Sequence, residues 1–140
     1  MALNLTSLVN SIKSLERSIS TYYKLSKDKS ITEDDMETIK AGVIQNFEVA
    51  YEQCWKFMKR WIEENVSPDL ADGVSRKELY RVSAENKLIS DIDAWMSFNK
   101  SRNLTSHTYN SRNSEITFKT SLLFITIAKD FYKRLEERND

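Results

Sequence analysis

Residues 36–62 read METIKAGVIQNFEVAYEQCWKFMKRWI, and this segment carries the clearest helical periodicity of the chain. Its apolar side chains recur at three- and four-residue steps, the spacing that places them on one side of an α-helix. They form two adjacent ridges, so we expect the helix to contact more than one neighbour. The first ridge comprises Met36, Ile39, Val43, Phe47, Ala50, Cys54, Phe57 and Trp61, and the second comprises Ile44, Tyr51, Trp55, Met58 and Ile62.

The residues before this helix have the features of a helix start. Thr32 can cap the helix, and Glu33, Asp34 and Asp35 place negative charge at the positive end of its dipole. The helix therefore should begin near Glu33. Inside it, Gly42 costs about 1 kcal/mol relative to alanine. Either a close approach by another backbone or simple tolerance would account for this glycine.

The rest of the chain offers three more long amphipathic segments. Apolar spacing from Leu5 to Leu25 predicts a helix over about residues 4–26. Another helix should run from Leu88 through Trp95 and Met96, and a last one over about 114–137. Four such segments joined by short or moderate connections predict an all-α protein, an antiparallel up-and-down four-helix bundle that forms one domain over residues 1–140.

Two further signals refine this prediction. The segment NVSPDLADGVS has turn chemistry and should form a loop. Ser75 and Glu78 then have the spacing of a capping box, which predicts an extra short helix. Ser114 is a plausible cap for the last long helix.

The composition excludes several classes of protein. Two glycines and one proline leave few residues for the tight turns of an all-β fold. With 21 basic and 21 acidic residues, no global field draws the chain to nucleic acid or to a membrane. Cys54 is expected to be a buried thiol. No signal peptide and no run of 18 apolar residues is found, so we expect a soluble, cytoplasmic protein without membrane contact.

Residues 101–110, SRNLTSHTYN, depart from the apolar pattern and hold the only histidine. Between Ala94 and Ser114 there is no carboxylate, although Lys100, Arg102, His107 and Arg112 fall in this window. The window is therefore a local cationic patch, and its neutral polar side chains suit phosphate, ribose and base edges. A frayed helix end followed by a polar turn is the other interpretation.

Arg102 and His107 suggest metal-free chemistry on RNA. A histidine can take a proton from a ribose 2′-hydroxyl or return one to a leaving oxygen, and an arginine can clamp the phosphate. The two positions diverge by about 140° on an ideal helix. They can meet only if the helix ends between them or if a second copy contributes its own pair. One histidine and one distant cysteine give no metal-ligand spacing, so no metal or other cofactor is expected.

Residues 102–109 read RNLTSHTY, and Arg102, His107 and Tyr109 have the spacing of a known motif. The segment resembles the R-x4-H-x-Y motif of the HEPN superfamily and in particular of the HepT-like toxins. These are also known as the nucleotidyltransferase substrate-binding family. The resemblance covers most of the chain and implies a metal-independent endoribonuclease, with Arg102 and His107 as the catalytic pair at a dimer interface. Asn103 would be a supporting polar residue. Tyr109 would accept AMP from a minimal nucleotidyltransferase antitoxin, which silences the toxin.

Two other functions stay open at this point. The same resemblance is compatible with a non-catalytic substrate-binding subunit of a two-component nucleotidyltransferase. A third hypothesis is a helical interaction protein that uses Tyr51, Trp55, Met58 and Ile62 as its interface. All three include a homodimer, because three Trp, six Tyr and six Phe exceed what one thin bundle easily buries. The leading hypothesis is the ribonuclease, with RNA and the antitoxin as partners.

Overall fold

The computed structural model describes residues 2–107 and 111–140, except for the side chains of residues 105–107 and 111. These residues form helices and connections and no strand. In chain order the helices are α1 (Thr6–Leu25), α2 (Glu33–Asn65), α3 (Pro68–Ala71), α4 (Arg76–Glu85), α5 (Ile92–His107) and α6 (Ser111–Glu137).

The four long helices α1, α2, α5 and α6 form the bundle, and successive long helices run in opposite directions. The Ser7 hydroxyl near the start of α1 bonds to Gln53 in the second half of α2. The end of α6 returns to the start of α1, where Asn139 exchanges two hydrogen bonds with the backbone of Leu3. The predicted all-α, up-and-down bundle is therefore confirmed, and it carries two short helices where the sequence predicted one.

Both apolar ridges of α2 contribute to the core, and the helix contacts more than one neighbour, as the periodicity predicted. The first ridge packs through residues such as Phe47 and Phe57, and the second through Tyr51, Met58 and Ile62. The last three side chains are fully buried within one chain, and only Trp55 stays partly exposed. The hypothesis that the second ridge forms an interface with another protein is therefore wrong, because three of the four residues expected at that interface are already buried inside the chain.

The predicted caps are present at the starts of α2 and α4. Thr32 and Asp35 form a complete capping box at α2, with the Thr32 hydroxyl accepting from the Asp35 backbone at 3.0 Å. Ser75 accepts from the Glu78 backbone at 3.1 Å. The Glu78 carboxylate pairs with Arg81 and does not return to the cap, so only half of the predicted box forms there.

Three predicted boundaries differ from the structure. Helix α5 begins at Ile92 and not near Leu88, because the Asp91 carboxylate accepts from the Ala94 backbone and caps the helix there. Leu88 is instead buried in the turn after α4. Helix α6 begins at Ser111, so Ser114 lies inside it and is not its cap. The predicted loop after α2 contains α3, which starts at Pro68 with Ser67 as its cap.

Three local predictions can be compared directly with the structure. A methyl group added at Gly42 would meet no atom within 4 Å, so tolerance explains this glycine and close packing does not. Cys54 is buried as predicted, and burial raises the pKa of its thiol. Among the described residues, no helix combines the length and apolar character needed to cross a bilayer.

Candidate functional site

Helix α5 is anchored by aromatic side chains in its first half. Trp95 and Phe98 are only 1% and 3% exposed. Trp95 meets rings from α2, α4 and α6 with centroid distances between 5.7 and 6.5 Å. These rings belong to Tyr51, Tyr80, Phe124 and Phe131. Because aromatic contacts of this kind bury large areas, they fix where α5 sits in the bundle.

The second half of α5 is attached to α6 by hydroxyl groups. The hydroxyls of Ser101 and Thr120 lie 2.9 Å apart, and the Thr117 hydroxyl donates to the Ser101 carbonyl at 3.1 Å. Ser101 and Thr117 are both buried. Buried polar groups are costly unless they are paired, so these bonds specify how α5 faces α6.

The Tyr51 hydroxyl is the centre of a network that joins α2, α4 and α5. It donates to Asn99 Oδ1 at 3.0 Å and accepts from Arg76 Nη1 at 3.2 Å. It also contacts the Tyr80 hydroxyl. Because the single phenolic proton of Tyr51 goes to Asn99, Tyr80 is the donor in their bond. Burial raises the pKa of Tyr51 and of Tyr80, so both phenols stay neutral donors.

Arg76 extends this network to the predicted arginine of the site. Its guanidinium lies over the Trp55 ring at 4.1 Å from the centroid, and its Nη2 is 3.6 Å from Glu52 Oε1. The same carboxylate oxygen is 3.7 Å from Arg102 Nε. Glu52 on α2 therefore bridges Arg76 on α4 and Arg102 on α5.

The structure places two of the four predicted site residues with their side chains. Arg102 is partly buried beside α2, in contact with Glu52. Asn103 is exposed and lines a cleft of about 760 Å³ on α5, together with Lys100 and Asn113. His107 is the last residue of α5, and its side chain lies outside the described part. Tyr109 lies outside the described residues altogether.

The backbone decides one question that the sequence left open. Helix α5 continues without interruption from Arg102 to His107. The possibility that the helix ends between them is therefore wrong, and the two positions stay about 140° apart around its axis. On one helix these two side chains do not meet, so an arginine and a histidine can be brought together only by a second copy of the chain.

Sequence reasoning missed the partners of Arg102. Glu52 supplies a carboxylate to the window that has none of its own, so the predicted cationic patch is partly neutralised at Arg102. The sequence carries no signal for these contacts, because Glu52 lies on α2 and Arg76 on α4, both far from Arg102 along the chain. Within the described residues, no three His, Cys, Asp or Glu side chains gather in a way that could hold a metal ion.

Comparison with known proteins adds independent findings. Residues 3–137 match the family described as nucleotidyltransferase substrate binding protein like. The chain is 30% identical to "Probable ribonuclease HepT" of Haemophilus influenzae over 141 residues, covering 98% of this chain and 94% of that protein.

Two solved structures share the fold. One is a Haemophilus influenzae protein described as showing the fold of a substrate-binding domain of a nucleotidyltransferase. It superimposes with a TM-score of 0.88 at 26% identity, covering 95% of this chain and 99% of that one. A Thermus thermophilus protein superimposes with a TM-score of 0.61 at 22% identity, covering 86% and 98% of the two chains.

Proposed function

Because the chain belongs to the nucleotidyltransferase substrate binding protein like family, and within it resembles the HepT-like proteins, we propose that it is a metal-independent endoribonuclease that acts as a toxin. We take residues 1–140 as its single functional domain. The observation that carries this proposal is the position of Arg102 and His107 on one uninterrupted helix, in a window without a carboxylate of its own. The full-length similarity to "Probable ribonuclease HepT" supports it.

The chemistry needs only these two side chains and RNA. In its neutral form His107 accepts the proton of a ribose 2′-hydroxyl, and the 2′-oxygen attacks the adjacent phosphorus. The bond from phosphorus to the 5′-oxygen breaks, and that oxygen leaves with a proton from an imidazolium. Arg102 binds the phosphate oxygens and stabilises the charge that develops on them, and Asn103 supplies a polar contact nearby. The products carry a 2′,3′-cyclic phosphate and a 5′-hydroxyl.

The active form is proposed to be a homodimer. Positions 102 and 107 face different directions on α5, so each active centre would combine residues from two copies. In such a symmetric pair the same surface of each copy is used, which yields two equivalent centres. Cleavage should then fall with dilution below the dissociation constant of the dimer.

The proposed partner is a minimal nucleotidyltransferase that acts as the antitoxin. The family description links these proteins to nucleotidyltransferases. Transfer of AMP from ATP to the Tyr109 hydroxyl would release pyrophosphate and add a bulky anion two residues beyond His107. The anion would compete with the RNA phosphate for Arg102, which explains how one modification could silence the toxin.

A non-catalytic substrate-binding subunit is the second candidate, and one observation favours it. The cleft on α5 is lined by Asn99, Lys100, Asn103 and Asn113 beside the apolar side chains of Met96 and Leu104, a mixed surface able to hold a nucleotide or another acceptor. The Haemophilus influenzae protein of known structure is described as such a binding domain. On this alternative, the partner would supply the catalytic groups, and this chain would cleave no RNA.

The deciding experiment is cleavage of an end-labelled RNA in the presence of EDTA. The parent protein should cleave the RNA, whereas the cleavage rates of His107→Ala and Arg102→Ala should be lower by about 100-fold or more. Arg17→Ala is the matched control, because Arg17 is an exposed arginine on α1. It should cleave like the parent.

The outcomes separate the two candidates. A cyclic phosphate on the product, formed by the parent and not by His107→Ala, would support the nuclease. Cleavage that persists in both site variants would refute the assigned residues. If neither parent nor variants cleave at any protein concentration, the binding subunit becomes the better interpretation, and binding of ATP or of RNA at the α5 cleft should then be measured.

A further inference from the structure

Two guanidinium groups from different helices converge on one carboxylate oxygen. Glu52 Oε1 lies 3.6 Å from Arg76 Nη2 and 3.7 Å from Arg102 Nε. The three side chains are partly buried, with exposures of 32%, 29% and 26% in the order Glu52, Arg76, Arg102. Water still reaches the cluster, so these pairs add little to stability. Their effect is on orientation.

Arg76 is held more firmly than a typical surface arginine. Its guanidinium stacks on Trp55 and donates to the Tyr51 hydroxyl, which is itself buried and bonded to Asn99. A planar guanidinium that is stacked and hydrogen-bonded loses most of its freedom before any further contact forms. Arg76 therefore has a well-defined position, and its guanidinium attracts the Glu52 carboxylate.

We infer that Glu52, held by Arg76, is a positioning residue that orients the Arg102 guanidinium for phosphate binding. The inference rests on the proposed function in one respect, since the RNA of that proposal supplies the phosphate that Arg102 binds. Glu52 Oε1 faces the Nε edge of Arg102 at 3.7 Å, which is an ion-pair distance and longer than a hydrogen bond. Because the guanidinium is planar, a negative charge at that edge favours the orientation in which its other donors point away from Glu52. One carboxylate between two guanidiniums leaves a net charge of +1 on the cluster, which suits a phosphodiester carrying one negative charge.

The inference predicts an unusual separation of kinetic effects. Replacing Glu52 by glutamine removes a negative charge beside the RNA site, so RNA binding should hold or improve. The Arg102 guanidinium would no longer be fixed, and a misplaced catalytic group costs rate in the chemical step. We expect kcat to fall about tenfold while KM stays the same or decreases. Loss of structure alone would give no such separation.

A first measurement needs no RNA. The side-chain Nε–H signal of Arg102 can be followed by ¹H–¹⁵N NMR on the full chain and assigned by its absence in Arg102→Lys. Glu52→Gln should move this signal and speed its exchange with water. The control is Glu63→Gln, since Glu63 is exposed, and lies on the same side of α2 about 16 Å further along. It should leave the signal unchanged.

A second pair of variants tests the role of Arg76. Arg76→Lys keeps the charge and loses the planar fork, so it should move the Arg102 signal in the direction seen for Glu52→Gln. In Arg102→Lys, Glu52→Gln should no longer lower kcat, because a residue that acts through Arg102 has no effect once Arg102 is gone.

The outcomes separate this inference from the proposed function. An Arg102 signal that Glu52→Gln leaves in place overturns the inference, whatever the cleavage assay gives. The inference also fails if the signal moves but kcat and KM stay at the parent values. If the parent cleaves no RNA, the proposed function fails, and the NMR comparison alone decides whether Glu52 orients Arg102.

Discussion

The two halves of α5 use different kinds of contact with the same bundle. Residues 92–98 place Trp95 and Phe98 among rings from α2, α4 and α6. Residues 99–107 carry Asn99, Ser101 and Arg102, whose partners are a phenol, two hydroxyls and a carboxylate. Apolar burial is strong and without direction, whereas hydrogen bonds are weaker and directional. The first half therefore holds the helix, and the second half sets how it faces its neighbours.

This division separates the residues that stabilise α5 from the residues of the proposed site. The buried side chains of the first half, Trp95 and Phe98, act through what the core buries. A side chain in the second half can change the direction of Arg102 at little cost to stability, because the pairs around it are partly exposed. Substitutions in the two halves of α5, and in the helices that contact each half, should therefore have effects that differ in size and in kind.

The largest effect is expected at the centre of the first half. Trp95→Ala should lower the free energy of unfolding by about 3–5 kcal/mol, because it leaves a large cavity among packed rings. Urea unfolding followed by circular dichroism measures this. Leu123→Ala is the control, since Leu123 is 69% exposed on α6, and it should stay within about 0.5 kcal/mol of the parent. A loss below about 1 kcal/mol for Trp95→Ala would mean that the rings do not hold α5.

A smaller effect is expected where the two halves meet. Tyr51→Phe keeps the ring that packs on Trp95 and removes the hydroxyl that serves Asn99, Tyr80 and Arg76. The Tyr80 hydroxyl is buried, and Asn99 and Arg76 are partly buried, so the loss of their shared partner should cost about 1–3 kcal/mol of unfolding free energy. Tyr23→Phe is the control, because Tyr23 is half exposed. An equal effect of both substitutions would contradict the network.

The same network predicts a dependence on pH. Burial raises the folded-state pKa of Tyr80 above its unfolded value near 10. Above that pH the unfolded chain loses the Tyr80 proton while the folded chain keeps it, so stability falls as pH rises, by up to about 1.4 kcal/mol per pH unit. Unfolding measured from about pH 8 to about pH 11 should show a shallower decline in Tyr80→Phe than in the parent.

The smallest effect is expected at a position that supports neither half of α5. Gly42 is exposed on α2, and an added methyl group meets no atom there, so Gly42→Ala should raise the unfolding free energy by about 0.5–1 kcal/mol. Gly73 also has space, but its φ is 70°, so Gly73→Ala should destabilise. Thermal unfolding of the two variants shows whether each substitution raises or lowers stability. Stabilisation by both would contradict the claim that the positive φ of Gly73 disfavours alanine.

Prediction from sequence succeeded where the signal was local. The periodicity of α2, the Thr32 cap and the burial of Cys54 each depend on residues within a few turns of one another, and all three are present. The boundary of α5 was missed because Leu88 continues the apolar spacing although it lies in the turn after α4, and the Asp91 cap sets the start of the helix. The R-x4-H-x-Y motif gave Arg102 and His107 as candidates, and helix geometry left two ways for them to meet, of which the structure removes the one that ends α5 between them.

What the sequence determined by itself was the fold class and the candidate residues on α5. Amphipathic spacing makes a helix bury one face, and four such helices with short connections leave few arrangements. Only the tertiary structure decided that Tyr51, Met58 and Ile62 face the core, that α5 continues through His107 and that Glu52 joins Arg76 to Arg102. Contacts between helices depend on how each rotates about its axis when the core packs, and packing is a property of the whole chain.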